Sequence, residues 1–428
     1  MRFHKILGTA TIMLFLGNAI KAQDLRSLET QYAHRLNSHL TQSIVPFWTD
    51  ETIDIENGGY RLNHDIEGTL RSEGTKMVVT QSRMVWYFAR LARAGIDPKS
   101  NLAASQAGFQ FLKKAMWDSE YGGFYWEVNA TGTEVLKPKK HLYGQSFALY
   151  GLSELYRVSR QAEVLDLANT LFDLIDRQGH DGEHGGYIES FERDWTQATD
   201  RQSPSYMGVP AHFKLMNTHL HLLESLTSYY RVAPSPRIRE RLEELITIQS
   251  NTVVRKSLGA CTDKYTRKWQ PILNSGYDRV SYGHDLENIW LLMDACDALG
   301  IPHATYRDLY ETLFDYSLRY GYDKRHGGFY DSGPFNQLAD NRNKVWWVQA
   351  EAIVAALYLY RLTGKPIYRS TFEKTYDWIE SHQLDATHGE WFSQVDSKGV
   401  PSGPKASTWK SAYHNGRALI ECHKLLRP

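Results

Sequence analysis

The chain predicts an all-α fold, a closed (α/α)6 barrel of six helical hairpins, and three observations lead there. A glycine-aromatic beat recurs along the chain: Gly58-Gly59-Tyr60, Gly122-Gly123-Phe124, Gly185-Gly186-Tyr187, a degenerate Gly259-Ala260-Cys261, Gly327-Gly328-Phe329 and Gly389-Glu390-Trp391, spaced by 62 to 74 residues. A period that long leaves room for two helices and a turn per unit. Between beats, apolar residues recur at three and four, as in Leu152, Leu155, Tyr156 and in Leu220, Leu223, Leu226, Thr227, Tyr230, which is the helical period. Trp, His, Arg, Glu and Gln concentrate at helical spacing on the six helices that follow the beats and not on the others. An open solenoid would spread such residues along one concave surface, so the pattern favours closure with the polar helices inside.

In chain order, residues 1–22 read as a secretory signal. Arg2 and Lys5 precede an apolar run from Ile6 to Leu16, and Gly17-Asn18-Ala19 or Ala22 offers small residues for cleavage. The run is too short to span a bilayer, and no cysteine follows it to accept a lipid, so export to a periplasm or to the outside is expected. One domain over 27–428 is expected, because the repeat covers that stretch. Outer helices are predicted near 30–46, 100–116, 161–177, 236–252, 303–320 and 366–382. Inner helices are predicted near 76–92, 141–156, 213–230, 281–297, 344–360 and 409–425. Linkers such as Ala94-Gly95-Ile96-Asp97-Pro98 and Leu299-Gly300-Ile301-Pro302 carry a C-cap glycine and then a proline that stops a helix. The beats, followed by short runs such as Phe124-Tyr125-Trp126-Glu127-Val128, read as small hairpins or extended turns.

Composition narrows the partners. Lys+Arg and Asp+Glu both number 49, so there is no net charge and no basic stretch for nucleic acid, which is not an expected partner. Aromatic residues make up 13% of the chain, enough for some rings to line a site, and pyranose C–H faces pack on such planes. Cys261, Cys296 and Cys422 are odd in number and far apart, which points to free core thiols rather than a disulfide framework or a cysteine-rich zinc site.

Four inner helices hold the informative side chains. His284 and Glu287 stand at i and i+3, where a carboxylate can fix an imidazole tautomer. Lys410, His414 and Arg417 share a face in the last helix, as do Asn217, His221 and Glu224 in the third. Trp347 and Glu351 share one in the fifth. A lone His among apolar neighbours is usually a satisfied core residue, but three His-bearing helices with charged partners in one ring reverse that reading. His219 and His221, at i and i+2, point apart, so no metal is expected. His141, Tyr143 and Gln145 are placed at the mouth, while His64, His212, His388 and His423 receive no role. Arg83, by position alone, fits a surface salt bridge as well as a site.

Four stretches, Asn217-Thr218-His219-Leu220-His221-Leu222-Leu223-Glu224, Ser281-Tyr282-Gly283-His284-Asp285-Leu286-Glu287, Trp346-Trp347-Val348-Gln349-Ala350-Glu351 and Tyr413-His414-Asn415-Gly416-Arg417, closely resemble the cellobiose 2-epimerases of the N-acylglucosamine 2-epimerase superfamily. The resemblance runs from about residue 27 nearly to the end, with the motifs in order. It implies that His284 and His414 are an acid/base pair and that Arg83 faces the reacting oxygens. It makes Tyr143, Asn217, His221, Glu287 and Glu351 supporting site residues, with Trp347 and Trp409 stacking on sugar. The substrate it implies is a small disaccharide with a β-1,4-linked reducing-end hexose, handled by a cofactor-independent monomer. The signal segment departs from many cytoplasmic relatives.

Epimerising C2 of a reducing sugar requires an open ring, removal of the C2 proton from one face and its return to the other. Two imidazoles serve that chemistry near neutral pH, and a guanidinium can stabilise the enediolate. No dinucleotide fingerprint or phosphate loop is present. A glycoside hydrolase on the same barrel would need two carboxylates flanking the scissile bond; Glu224, Glu287 and Glu351 exist but lie beside His or Trp. A sugar-binding protein, a monosaccharide isomerase and an N-acylglucosamine 2-epimerase are the other readings.

Overall fold

The computed structural model describes residues 25–199, 205–274 and 276–427; the expected signal segment, 1–22, lies outside the described residues. Six helical hairpins follow one another. They are α1 (25–51) with α2 (Val78–Arg93), α3 (Pro98–Phe111) with α4 (Leu142–Ser159), α5 (Ala162–Leu174) with α6 (Met216–Tyr230), α7 (Pro236–Thr247) with α8 (Tyr282–Leu299), α9 (Arg307–Tyr320) with α10 (Trp346–Thr363), and α11 (Pro366–Trp378) with α12 (Tyr413–Leu426). Each even-numbered helix packs on the next, and α12 packs back on α2, so the inner ring closes. This is the (α/α)6 barrel that the repeat predicts.

Burial separates the two rings. Every residue of α2 from Val78 to Ala92 is buried, as expected of a helix enclosed on all sides. By contrast α7 buries only Ile238, Leu242, Leu245 and Ile246, with Ser235 capping its start and Pro236 in its first turn. Gly300 and Gly364 end α8 and α10 in the left-handed conformation, as the linker glycines lead one to expect. Among the described residues the three cysteines are buried and free.

The beats are pinned turns, and the pin was not foreseen. In the first unit the Asp54 N–H donates to the Gly59 carbonyl (3.0 Å) and the Gly58 N–H to the Asp54 carbonyl (3.0 Å). The same pair of bonds recurs from Asp118, Asp181, Asp323 and Asp385. A buried lysine then reaches each aspartate: Lys76 to Asp54 (2.6 Å), Lys140 to Asp118 (2.9 Å), Lys214 to Asp181 (2.9 Å), Lys344 to Asp323 (2.9 Å) and Lys405 to Asp385 (2.6 Å). Both beat glycines take positive φ, 78° and 70° at Gly58 and Gly59, which a side chain resists. In the sixth beat Glu390 accepts φ 59° because its buried carboxylate holds the Trp48 indole (2.7 Å), Lys410 (2.9 Å) and Asn415 (2.7 Å).

A second repeated bond docks each turn on its inner helix. The Gln81 side chain pairs with both backbone groups of Tyr60 (2.9 and 2.8 Å), and Gln145 and Gln349 do the same to Phe124 and Phe329. His219 occupies the equivalent place in the third unit, its Nε2 accepting from the Tyr187 N–H (2.9 Å). The fourth beat lacks the lysine pin; its Cys261 N–H donates to Asp285 (3.0 Å) instead.

Three expectations change here. The last inner helix begins at Tyr413, so Trp409 and Lys410 precede it, and the stripe Lys410, His414, Arg417 does not form. Lys410 is buried and serves Glu390 and the carbonyls of Trp391 and Lys405 (each 2.8 Å). Gln145 and His141 are buried structural groups rather than mouth residues: Gln145 docks its turn, and His141 Nδ1 caps α4 by accepting from the Tyr143 N–H (3.1 Å).

Candidate active site

All six inner helices start at the same end of the barrel, and a cleft of about 230 Å³ opens among their first turns. Six helix N-termini surround it, each contributing the partial positive charge of its dipole. Arg83, Tyr143, Asn217, His221, His284, Glu287, Trp347, Trp409 and His414 line it. Of the ten site residues expected from sequence, the exception is Glu351, which lies one layer below and is buried. Two lining residues, Met207 and Trp346, were missed. The tandem Trp346-Trp347 gave a signal for the second; Met207 sits in a loop that carries none.

Unpaired polar atoms converge on this cleft. Arg83 Nε, Asn217 Oδ1, Glu287 Oε2 and Trp346 Nε1 are buried without a protein hydrogen bond. Such atoms occur elsewhere in the barrel too, but these four belong to residues that line the cleft, where a ligand would supply partners. Arg83 is not a surface ion pair: it is buried, donates to the Tyr143 hydroxyl (3.1 Å) and stacks its guanidinium over Phe147 (4.1 Å) and Tyr413 (4.5 Å).

Both imidazoles contact one ring. His284 lies 4.8 Å from Trp347 and His414 lies 5.7 Å from it, centroid to centroid. Nδ1 of His414 donates to Glu351 (2.6 Å), which orients the ring and leaves Nε2 as its basic atom. Glu351 is held in turn by the Trp290 indole (2.7 Å) and Arg417 (2.8 Å). Burial lowers both histidines below the ordinary imidazole value: His414 well below, with Arg83 and Arg417 adding to the effect, and His284 with Asp263 opposing it. Glu287 does not orient His284; it turns to Arg417 (2.8 Å).

Beneath the cleft, Arg417 joins three glutamates. Besides Glu287 and Glu351 it binds Glu224, which also accepts from Tyr413 and pairs with His221 Nδ1 (3.0 Å). Burial alone would raise Glu224, but Arg417, His221 and Tyr413 outweigh it and hold the carboxyl below its usual value. Glu287 goes the other way: burial, and then the Glu351 charge, lift it well above its ordinary value against the pull of Arg417. Ligand atoms of Glu287, Glu351 and His414 lie within 4.8 Å of one another, and the positive charge such a cluster calls for is supplied by Arg417.

A barrel whose cleft carries two imidazoles, a stacked guanidinium and indole rings fits a sugar-isomerising enzyme, the class to which its relatives belong. The family model for N-acylglucosamine 2-epimerase matches residues 58–418, and the chain belongs to that family of carbohydrate epimerases and isomerases. It is 30% identical over 406 residues to the cellobiose 2-epimerase of Dictyoglomus turgidum, covering 94% of this chain and 99% of that one. It is 32% identical over 390 residues to the cellobiose 2-epimerase of Bacteroides fragilis, covering 90% and 97%. The solved cellobiose 2-epimerase from Bacillus thermoamylovorans superposes with a TM-score of 0.84 at 30% identity, over 92% of this chain and 99% of that one.

Proposed function

We propose that the protein inverts C2 of the reducing-end hexose of a β-1,4-linked disaccharide, converting cellobiose to glucosyl-mannose or mannobiose to mannosyl-glucose. The observation that carries this reading is the pair His284 and His414, both against the Trp347 ring and lining one cleft with Arg83, whose Nε–H has no protein partner. The reducing sugar opens, and one imidazole takes the C2 proton while the C2–H electron pair moves toward C1. The negative charge gathers on the C1 and C2 oxygens, where Arg83 and the helix N-termini stabilise it. The second imidazole, in its protonated form, returns a proton to the opposite face of C2. No electron leaves the substrate and water restores the two protonation states. Trp409, 42% exposed at the mouth beside Trp126 and Tyr143, offers a plane for the second sugar.

The test is turnover of cellobiose and β-1,4-mannobiose in deuterated water. The expected products are C2-epimeric disaccharides labelled at C2. Free monosaccharide as the sole product would establish a hydrolase, and binding without label a mere carrier. His284→Ala and His414→Ala are each expected to lower kcat by roughly 10³-fold, within the range for loss of a general acid or base, with the circular dichroism of the fold retained. Full activity in either variant overturns the assignment.

A further inference from the structure

The other end of the barrel holds a second cavity, of about 240 Å³, among the last turns of the same inner helices. Its walls carry Arg90, Arg93, Arg157, Arg231 and Lys424 against the carboxylates Glu154, Asp294 and Glu421. Arg417 also reaches this cavity, but its charge is committed to the glutamates under the active site. Two positive charges are left in excess. Cations at helix C-termini complement the dipoles, which accounts for some of this set. It does not account for how they are arranged.

Glu154, itself buried, is shared by three arginines: Arg93 (2.5 Å), Arg157 (3.5 Å) and Arg90 (3.9 Å). Arg157 is pulled below its ordinary value by burial, with Arg93, Arg231 and Arg90 adding to the shift, so like charges crowd it. Arg90 is buried, yet its Nε–H has no partner. A cavity with excess guanidinium charge and an unpaired buried donor suits an oxyanion, whose several oxygens accept from planar guanidinium forks. We propose that this cavity binds a small, multiply charged oxyanion of the phosphate class, held by Arg90, Arg93, Arg157 and Arg231. The shared chemistry has two sources, free phosphate and the phosphate of a phosphorylated sugar.

Calorimetric titration of the full chain with inorganic phosphate, against sodium chloride at matched ionic strength, tests the site. Saturable one-to-one binding is expected in phosphate only. Arg157→Gln should weaken it about tenfold, as loss of one charge-assisted hydrogen bond does. Asp294→Asn should tighten it, because Asp294 now occupies the Arg231 fork (both 2.8 Å). The opposite signs separate binding from damage to the fold, which circular dichroism follows in both variants. A hexose phosphate that binds more tightly than inorganic phosphate identifies the ester as the natural source, and equal affinity identifies the free ion. No saturable binding, or identical affinity in wild type, R157Q and D294N, overturns the proposal.

Discussion

His414 and His284 differ in what holds them, and that difference bears on the pH range of turnover. His414 is fixed by Glu351, whereas His284 rests on Trp347. Both have lowered values, so each keeps its neutral, proton-accepting form below the ordinary imidazole value of about 6.5. The acid limb of kcat/KM for C2 exchange is therefore expected below about pH 6.5, and a limb at or above that value would contradict the burial of the pair. The glutamates give a sharper contrast. Glu287 is raised well above its ordinary value by burial, so Glu287→Gln, which mimics the protonated form, should change stability by no more than about 1 kcal/mol. Glu224 is ionised against Arg417, and Glu224→Gln should lose about 3–5 kcal/mol in urea unfolding. The cleft itself was legible because helical spacing places Asn217 with His221 and Glu224, and because the motif resemblance adds Arg83 and Tyr143. Partner choice was not: whether Glu287 serves His284 or Arg417 depends on α12 reaching across the barrel, which spacing within α8 does not encode.

At the scale of the elements, sequence periodicity located the helices but not the device that holds their connections. The lysine pins join residues 20 to 33 apart, Lys405 to Asp385 at one extreme and Lys214 to Asp181 at the other, so no short motif displays them. The start of α12 was misplaced for a related reason: Trp409 and Lys410 continue the polar pattern of a helix, yet Lys410 is drawn into the Glu390 hub. In the first unit Lys76 and Asp54 are both fully enclosed, and Lys76 also donates to the Gly58 carbonyl (2.6 Å). Lys76→Met leaves Asp54 buried and unpaired and should destabilise the protein by about 3–5 kcal/mol. Adding Asp54→Asn should recover part of that loss, since the orphaned charge is then gone. Urea unfolding of the two single variants and the double variant reads the coupling directly, and additive losses would show that the pair does not act as a unit.

Beyond the pair His284 and His414, the barrel keeps histidines neutral at three further places in the ring, His39, His141 and His221. His39 in α1 is lowered to about 3 by burial, with Arg35 adding to it, and its ring is used on both sides, by Tyr376 (3.2 Å) and by the Trp391 indole (2.7 Å). His141 at the start of α4 is lowered to about 3 by burial alone, and His221 in α6 to about 4 by burial that outweighs Glu224. In the unfolded chain each titrates near 6.5. The unfolded state therefore binds more protons than the native state once the pH drops below that value, and stability falls with it. Half protonated in the unfolded chain at about pH 6.5, each histidine withdraws about 1 kcal/mol over the next unit, so the three together remove about 3 kcal/mol between about pH 6.5 and about pH 5.5. The pinned aspartates have lowered values too, but their contribution begins to fade only as the pH nears the unfolded carboxyl value of about 4. Glu287 and Asp285, the latter raised to about 8 by burial, favour the protonated form in the native state and add stability as the pH falls, so the histidine part is read by substitution. Stability in urea unfolding, measured across that window, should therefore fall more, or rise less, in the wild type than in His39→Gln, by about 1 kcal/mol per unit of pH. Parallel profiles of the two proteins would mean that the ring tolerates imidazolium at His39, and the burial argument would fail there.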